Sequence, residues 1–417
     1  MRFNVFKNTV LLFVLVMISC ANKKGDKKPE HLPSEQTEKQ EILKHVQNAN
    51  TIIVGANQTE NYLPLLQEKR IGIVANQTSV IFKTDNSYTH LVDSLVALKV
   101  NVKTVFAPEH GFRGKADAGE HVKDGIDKKT GIPIISLYGD NKKPKPEQLN
   151  NLDLVIFDIQ DVGARFYTYI STLHYVMEAC AEQNIPVLIL DRPNPNGHYI
   201  EGPTLDIKNK SFVGMHPIPV VHGMTIGEYA KMINGEQWLE NGIQCELNII
   251  PVKNYTHQTP YSLPIKPSPN LPNEVAINLY PSLCFFEGTN VNAGRGTNNQ
   301  FQVFGSPFLN SEVFKYSYTP KSNEGAKYPK HENKLCYGMN LTQTQPLNHL
   351  NLQWLIKAYQ NTKDKSAFFN NFFIKLAGTD KLQQQIEAGL TTEAIEATWQ
   401  NDLIKFKQTR KKYLLYN

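Results

Sequence analysis

The stretch Leu154-Val155-Ile156-Phe157-Asp158-Ile159-Gln160-Asp161 shows most directly how this chain folds, because an apolar run ends in acids and an amide. Its Val- and Ile-rich part is typical of a parallel strand that is buried on both faces. Similar runs recur at 70–75, 102–107, 133–138, 186–190 and 246–251. Helical patterns at 89–98, 166–182 and 225–239 lie between them. The alternation predicts an α/β fold with a Rossmann-like N-terminal domain, whose parallel sheet is covered by helices.

Polar motifs follow the predicted strands at corresponding positions. They are Asn76-Gln77, Glu109-His110, Asp158-Gln160-Asp161, Asp191-Arg192 and, after the run 219–221, His222-Gly223. In open α/β sheets, binding and chemistry gather beyond the carboxyl ends of the strands. We therefore expect these motifs to open onto one rim that forms the floor of a site. No Gly-x-Gly-x-x-Gly follows the first strand, so dinucleotide binding has no support.

A proline-rich stretch at 260–272 separates this predicted domain from the rest of the chain. Beyond it lie a strand pattern at 300–304 and helical patterns at 350–360, 366–376, 380–388 and 393–408. We predict a Rossmann-like α/β domain at 51–259 and a smaller C-terminal α+β domain at 260–417. The loops of the second domain are expected to lie across the rim of the first, with an active-site cleft between the two.

The first twenty residues have the pattern of a lipoprotein signal peptide. Arg2 and Lys7 precede an apolar core at 10–18, which is too short to span a bilayer comfortably and ends at Cys20. The pattern predicts lipidation of Cys20 and a bacterial cell-envelope protein, periplasmic or associated with the outer membrane. An ordinary cleaved signal or a short anchor is the alternative. Residues 21–50 are rich in Lys, Glu, Gln and Asn, which predicts a flexible tether.

Charge and cysteine content exclude some classes of protein. The net charge is only +5 and the lysines are scattered, so nucleic acid is not an expected partner. Cys180, Cys245, Cys284 and Cys336 show no metal-site spacing. A disulfide is possible in an oxidising compartment. Buried free thiols are favoured, because Cys180 and Cys284 lie in apolar runs.

Two glutamates stand in irregular, glycine-containing segments far apart in the sequence. Glu109 lies within 107–114, and Glu287 lies within 285–290, shortly before Gly294-Arg295-Gly296-Thr297. Proteins keep long irregular segments mostly where these have a function. Two carboxylates on such loops, each near glycine and polar or basic side chains, are the arrangement expected of an enzyme cleft.

Six motifs in these regions resemble the NamZ-type exo-β-N-acetylmuramidases, glycoside hydrolases that remove N-acetylmuramic acid from the non-reducing ends of peptidoglycan fragments. The motifs lie at 107–114, 157–167, 191–195, 222–228, 267–270 and 286–297, and the likeness covers about residues 68–417. One departure is that a tryptophan often precedes the Pro-Ser-Pro-Asn element, where this chain has Tyr261 to Ile265. The resemblance implies the same activity, peptidoglycan fragments as partners, and no cofactor.

The resemblance also implies that Glu109 and Glu287 are the catalytic pair. Glycoside hydrolysis usually needs one acid and a second carboxylate as base or nucleophile, and which glutamate is the acid depends on burial and neighbours. Asp161 is the next catalytic candidate, or it forms an ion pair with Arg165. In the structural alternatives, Glu109 caps the following turn and Glu287 holds Arg295.

Arg295 and Asn270 are expected to read the substrate. Muramic acid carries a lactyl carboxylate, and arginine is the natural bidentate partner of a carboxylate. Phe112 could stack on a sugar or belong to the core. The further substrate-binding candidates, each with a structural alternative, are His110, Asp158, Gln160, Arg165, Tyr167, His222, Ser268, Thr289 and Asn290.

The same residues allow two other interpretations, a metal site and a binding protein. Glu109, His110, Asp158, Asp161 and His222 are good metal ligands by type, but they lack dense spacing, so no metal is expected. A non-catalytic muropeptide-binding surface lipoprotein is the other alternative. The two retained glutamates favour the enzyme, because a binding protein needs no paired acids.

Overall fold

The Val- and Ile-rich runs form one large sheet in the computed structural model, which describes residues 51–85, 87–114 and 124–417. Its order is β5-β6-β4-β1-β7-β8-β9, and its strands run parallel except for β5 at one edge. β2 and β3 pair as a separate antiparallel ribbon. The strands are β1 (Ile71–Ala75), β2 (Val80–Phe82), β3 (Tyr88–His90), β4 (Val102–Ala107), β5 (Gly125–Ile126), β6 (Pro133–Ser136), β7 (Leu154–Asp158), β8 (Val187–Leu190) and β9 (Leu247–Ile250).

Every residue of the central strands β1, β7 and β8 is buried, as their apolar sequences predict. The helices of this part are α1 (Thr59–Tyr62), α2 (Leu91–Ala97), α3 (Pro146–Leu149), α4 (Tyr169–Glu182) and α5 (Ile226–Gly235). α4 begins three residues later than the pattern predicts, because the preceding residues form a turn in which the Tyr167 amide donates to the Ala164 carbonyl. The Rossmann-like domain is confirmed.

The run 219–221 does not join the large sheet, although a polar motif follows it as it follows the strands. Val221 makes only isolated bridges to Ala164 and Glu201. His222 therefore follows a loop rather than a sheet strand.

The C-terminal part is a smaller α+β structure, as predicted. Its three antiparallel strands are arranged in the order β10-β12-β11. The predicted helix at 393–408 is two helices that meet near Trp399, whose side chain is buried. The elements are α6 (Glu274–Leu283), β10 (Val303–Ser306), β11 (Tyr316–Tyr318), β12 (Cys336–Asn340), α7 (Gln353–Gln360), α8 (Phe372–Ala377), α9 (Lys381–Glu387), α10 (Thr392–Ala397) and α11 (Gln400–Lys411).

Arg165 connects the two parts of the fold. This fully buried guanidinium donates from Nη1 to the carbonyls of Pro203 and Ile218, and from Nη2 to those of Leu376 and Ala377. One hydrophobic core contains residues of both parts, and Ile52–Asn417 form one compact unit. The proposed boundary between residues 259 and 260 stays a prediction.

The described cysteines Cys180, Cys245, Cys284 and Cys336 are buried free thiols, which confirms the favoured expectation. Within the described ranges, no helix combines the length and the apolar character that crossing a membrane requires. The predicted signal peptide at 1–20, its Cys20 and the tether at 21–50 lie outside the described residues.

Candidate active site

A cleft of about 750 Å³ lies between the Rossmann-like part and the C-terminal part. One wall comes from residues that follow β4 and β6 and from the turn before α4. The other comes from the segments around residues 270, 287, 295 and 330. Seven residues predicted from the sequence line it: Glu109, His110, Tyr167, Ser268, Asn270, Glu287 and Arg295. Two glutamates from distant loops thus face the same space.

Glu109 is carried by a tight turn directly after β4. The Gly111 amide donates to the Pro108 carbonyl, and His110 and Gly111 both have positive φ, of 70° and 76°. Glu109 Oε2 accepts a hydrogen bond of 2.7 Å from Thr168 Oγ1, at the start of α4. Tyr138 is a second neighbour of Glu109. The pKa of its phenol is raised mainly by burial and next by the charge of Glu109. The hydroxyl groups of Thr168 and Tyr138 are therefore both neighbours of Glu109.

Glu287 stands on a single 3₁₀ turn, Cys284–Gly288, that follows α6. Its Oε1 accepts from Arg295 Nε at 3.1 Å, and both side chains keep about a quarter of their surface exposed, 25% and 22%. The Arg295 guanidinium also lies 5.3 Å from the centre of the Phe301 ring. The pairing of Glu287 with Arg295 is the structural alternative that the sequence analysis gave for both residues. The role of Arg295 in reading the substrate stays a prediction.

Gly288 lets this turn approach α8. A Cβ at this position would lie 2.5 Å from the backbone Cα of Phe373, so a larger residue would push the turn away. Lys330 holds the same loop from the other side. Its Nζ donates to the carbonyls of Phe286, Thr289 and Val291 at 2.9, 2.6 and 3.0 Å, and burial lowers its pKa.

The segment Pro267–Asn270 is fastened to the Rossmann-like part at the edge of the cleft. The Tyr167 hydroxyl donates to the Pro267 carbonyl at 3.0 Å, and the Ser268 hydroxyl accepts from the Asn270 amide at 3.1 Å. Asn270 Nδ2 donates to the Gly325 carbonyl at 2.5 Å. Its Oδ1 is buried and has no hydrogen-bond partner among the residues that the structure describes. That oxygen suits a donor group of a ligand.

Three predicted binding residues lie outside the cleft lining, in contacts that build the fold. Asp158 is fully buried and pairs with Arg192 through hydrogen bonds of 2.6 and 3.0 Å. Gln160 Nε2 donates to the carbonyls of Asp161 and Pro193. Arg165 bonds the four carbonyls described above rather than Asp161. These side chains stabilise the backbone near the cleft and do not line it.

Asp161 and His222 form a second buried polar group away from the lining. Asp161 Oδ2 accepts from the Gly163 amide at 2.7 Å, whereas its Oδ1 has no partner among the described residues. His222 Nδ1 accepts from the Met224 amide, so the ring proton is on Nε2, 3.9 Å from Asp161 Oδ2. Burial raises the pKa of Asp161 to about 7 and lowers that of His222 to about 3.

Thr289 and Asn290 shape the loop after Glu287 without lining the cleft. Thr289 Oγ1 donates to the Phe286 carbonyl and accepts from the Val291 amide. The Asn290 carbonyl accepts from Ser306 Oγ and His331 Nε2, at 2.9 and 2.6 Å.

Sequence reasoning missed several lining residues: Tyr138, Lys142, Thr168, Phe212, Tyr328 and Lys330. Tyr138 and Lys142 follow β6, so the strand-end rule that found Glu109 would also have found them. Phe212, Tyr328 and Lys330 lie in irregular segments without a pattern. Phe112 is buried beneath Arg113 rather than in the cleft, and Tyr261 lines a separate groove.

A cleft lined by two carboxylates fits the class of glycoside hydrolases, whose reaction usually uses two carboxyl groups. Comparison with known proteins agrees. The N-terminal and C-terminal sequence models described as "Exo-beta-N-acetylmuramidase NamZ" match residues 71–275 and 278–416. The peptidoglycan β-N-acetylmuramidase NamZ of Bacillus subtilis is 38% identical over 375 residues, which cover 85% of this chain and 89% of that protein. The chain therefore belongs to the NamZ family of exo-β-N-acetylmuramidases, which are glycoside hydrolases.

Two solved structures share the fold. A DUF1343 family protein of Bacteroides fragilis is 49% identical, with a TM-score of 0.80 over 88% of this chain and 99% of that one. A second DUF1343 family protein from the same organism is 27% identical, with a TM-score of 0.73 over 88% and 100% of the two chains.

Proposed function

We propose that this protein is an exo-β-N-acetylmuramidase that hydrolyses the terminal N-acetylmuramic acid from the non-reducing ends of peptidoglycan fragments. Membership of the NamZ family supports the activity. The single observation that carries the mechanism is that Glu109 and Glu287, from different domains, line one cleft. That arrangement supplies the two carboxyl groups that hydrolysis of a glycosidic bond requires.

The partner of Glu287 suggests different roles for the two glutamates. Glu287 meets the Arg295 guanidinium, so it is suited to act as an anion. Glu109 is the other carboxyl group that lines the cleft, so we assign it the role of the acid. Glu109 donates its proton to the glycosidic oxygen as the bond from that oxygen to C1 breaks. Glu287 either takes a proton from the water that attacks C1 or attacks C1 itself, and water completes the hydrolysis.

Leaving-group chemistry tests these roles. Glu109→Gln should lower kcat on an alkyl muraminide by about 10²- to 10⁴-fold, the range of a general acid. It should lower kcat much less on a dinitrophenyl muraminide, whose leaving group needs no proton. Glu287→Gln should be severe on both substrates. Equal losses for both variants on both substrates would contradict the assignment.

Asp161→Asn is the matched control, because it makes the same acid-to-amide change outside the cleft. It should keep kcat within about tenfold of the wild type on both substrates. A loss as large as that of Glu109→Gln would make Asp161 the catalytic base and remove one glutamate from the pair.

The exo mode of action can be tested with two disaccharides of opposite order. Free N-acetylmuramic acid should be released from a disaccharide that has this sugar at its non-reducing end. The isomer with N-acetylglucosamine at that end should stay intact in the same chromatographic assay. Cleavage of both would refute recognition of the terminal sugar.

We also propose that the protein is anchored in the cell envelope by a lipid on Cys20. The support is the basic start, the short apolar core and the cysteine that ends it. Cys20→Ser should abolish labelling by a clickable fatty acid and release the protein from membranes. Persistent labelling would refute this site of lipidation.

A further inference from the structure

Three cationic side chains of the described residues line the cleft, and they differ in their partners: Arg295, Lys330 and Lys142. Arg295 is paired with Glu287, and Lys330 donates to four main-chain carbonyls. These two cations organise the Glu287 loop. A cation that is already paired binds a ligand carboxylate less strongly, because the two anions compete for it.

Lys142 has a different environment. Its Nζ lies 5.3 Å from the centre of the Phe212 ring. No carboxylate of the described residues lies within 4.0 Å of it. The flanking residues are fixed, since Asn141 Nδ2 donates to the Ser136 carbonyl and Lys143 pairs with Glu178 and Glu182. The half-buried Lys142 is therefore a positioned cation on the wall of the cleft.

The wall around Lys142 also belongs to the Glu109 side of the site. The Tyr138 ring lies 6.1 Å from the Phe212 ring, and Tyr138 is the neighbour of Glu109 described above. A sugar bound against this wall would therefore lie near both Lys142 and Glu109. An anionic substituent on that sugar is the chemistry that this cation fits.

We infer that Lys142 is the specificity-determining residue that binds the lactyl carboxylate of the terminal N-acetylmuramic acid, with the Phe212 ring beside the lactyl methyl group. The inference rests on the proposed function. The lactyl ether is the only difference between this sugar and N-acetylglucosamine, so a cation that meets its carboxylate distinguishes the two. A stem peptide could supply a carboxylate of the same chemistry, and a peptide-free substrate separates the two sources.

Removing the cation should weaken binding of the substrate and of the transition state equally. Lys142→Met should therefore raise KM for a peptide-free chromogenic muraminide and lower kcat/KM by about 10- to 100-fold, with kcat little changed. It should have almost no effect on the same muraminide with its lactyl acid converted to a methyl amide. Lys142→Arg should restore most of the efficiency on the free acid, since it keeps the charge.

Lys210→Met is the matched control. Lys210 is exposed, lies two residues from Phe212 and does not line the cleft. Its substitution therefore removes the same charge close to Phe212 but outside the cleft. Its KM should match that of the wild type. An equal effect of both substitutions, or an equal loss by Lys142→Met on the acid and the amide, would overturn the inference.

Calorimetric binding of free N-acetylmuramic acid separates the inference from the proposed function. An affinity that is about 10-fold or more lower in Lys142→Met supports the inference. This holds even if the wild type hydrolyses no muraminide. The absence of hydrolysis would refute only the proposed function. Binding that is absent or independent of Lys142 overturns the inference. If the wild type hydrolyses muraminides and Lys142→Met keeps the same preference over glucosaminides, the proposed function stands and the inference fails.

Discussion

Replacing Asp161 by Asn should change how the stability of the protein depends on pH. Asp161 is buried, its Oδ1 has no partner among the described residues, and its Oδ2 accepts one amide hydrogen bond. Burial raises its pKa from an ordinary value of 3.8 to about 7. The neighbouring His222 supplies no compensating charge, because burial lowers its pKa to about 3. The folded protein therefore keeps Asp161 protonated in mild acid.

The sign and size follow from the two pKa values. Below 3.8 the carboxyl is protonated in both folded and unfolded states, so the contribution of Asp161 to the free energy of unfolding is highest there. As the pH rises to about 7, only the unfolded state loses the Asp161 proton, and the contribution of Asp161 to stability falls by about 1.4 kcal/mol per pH unit. The total loss is about 4 kcal/mol, and it stays constant at higher pH.

Asparagine imitates the protonated carboxyl at every pH. The variant and the wild type should have similar thermal midpoints at pH 4, and the variant should be more stable by up to about 4 kcal/mol at pH 8. For a unit of this length, that free energy corresponds to about 5 °C in Tm. The burial-raised pKa of Asp191 affects both proteins alike, so it cancels in the difference.

The measurement is thermal unfolding of both proteins across pH 4 to 8, followed by circular dichroism. A Tm difference that does not change with pH would refute the argument, because it would mean that Asp161 is already ionised in the folded protein. A variant that is less stable at all pH values would show that the carboxylate has a partner that asparagine cannot use.

Three further substitutions test contacts around the cleft. Arg165→Met should destabilise the protein by about 3–5 kcal/mol, since it removes the donor of four buried hydrogen bonds. Thermal unfolding measures the loss, and Arg165→Lys should not restore the wild-type Tm. Arg295→Met should lower kcat/KM by about 10- to 100-fold on muraminide and glucosaminide alike, because Arg295 holds Glu287. A loss confined to the muraminide would instead show that Arg295 binds the lactyl group. Lys330→Met should lower both Tm and kcat, because the Glu287 loop loses the hydrogen bonds that hold it. A lowered Tm with unchanged kcat would show that catalysis does not depend on this anchoring of the loop.

The large sheet could be predicted because its strands carry their own signal. β1, β7 and β8 are buried on both faces, so nearly every residue had to be apolar, and the polar residue that ends each run marks the rim. The same logic placed Glu109 after β4. Glu287 stands on a short turn without periodicity. Its irregular, glycine-containing loop predicted a place in a cleft, and the resemblance to a known family added the catalytic pairing with Glu109.

The motif at 157–167 shows why a correct motif does not identify every functional side chain. Its backbone leaves β7 and turns into α4, and only its last residues, Phe166 and Tyr167, reach the cleft. Asp158 meets Arg192 inside the sheet layer, and Arg165 meets the carbonyls of Leu376 and Ala377. The second contact joins segments more than two hundred positions apart, so no local pattern could reveal it. A residue that fastens one domain to the other is as constrained as one that meets the sugar, because the cleft exists only while both walls keep their distance.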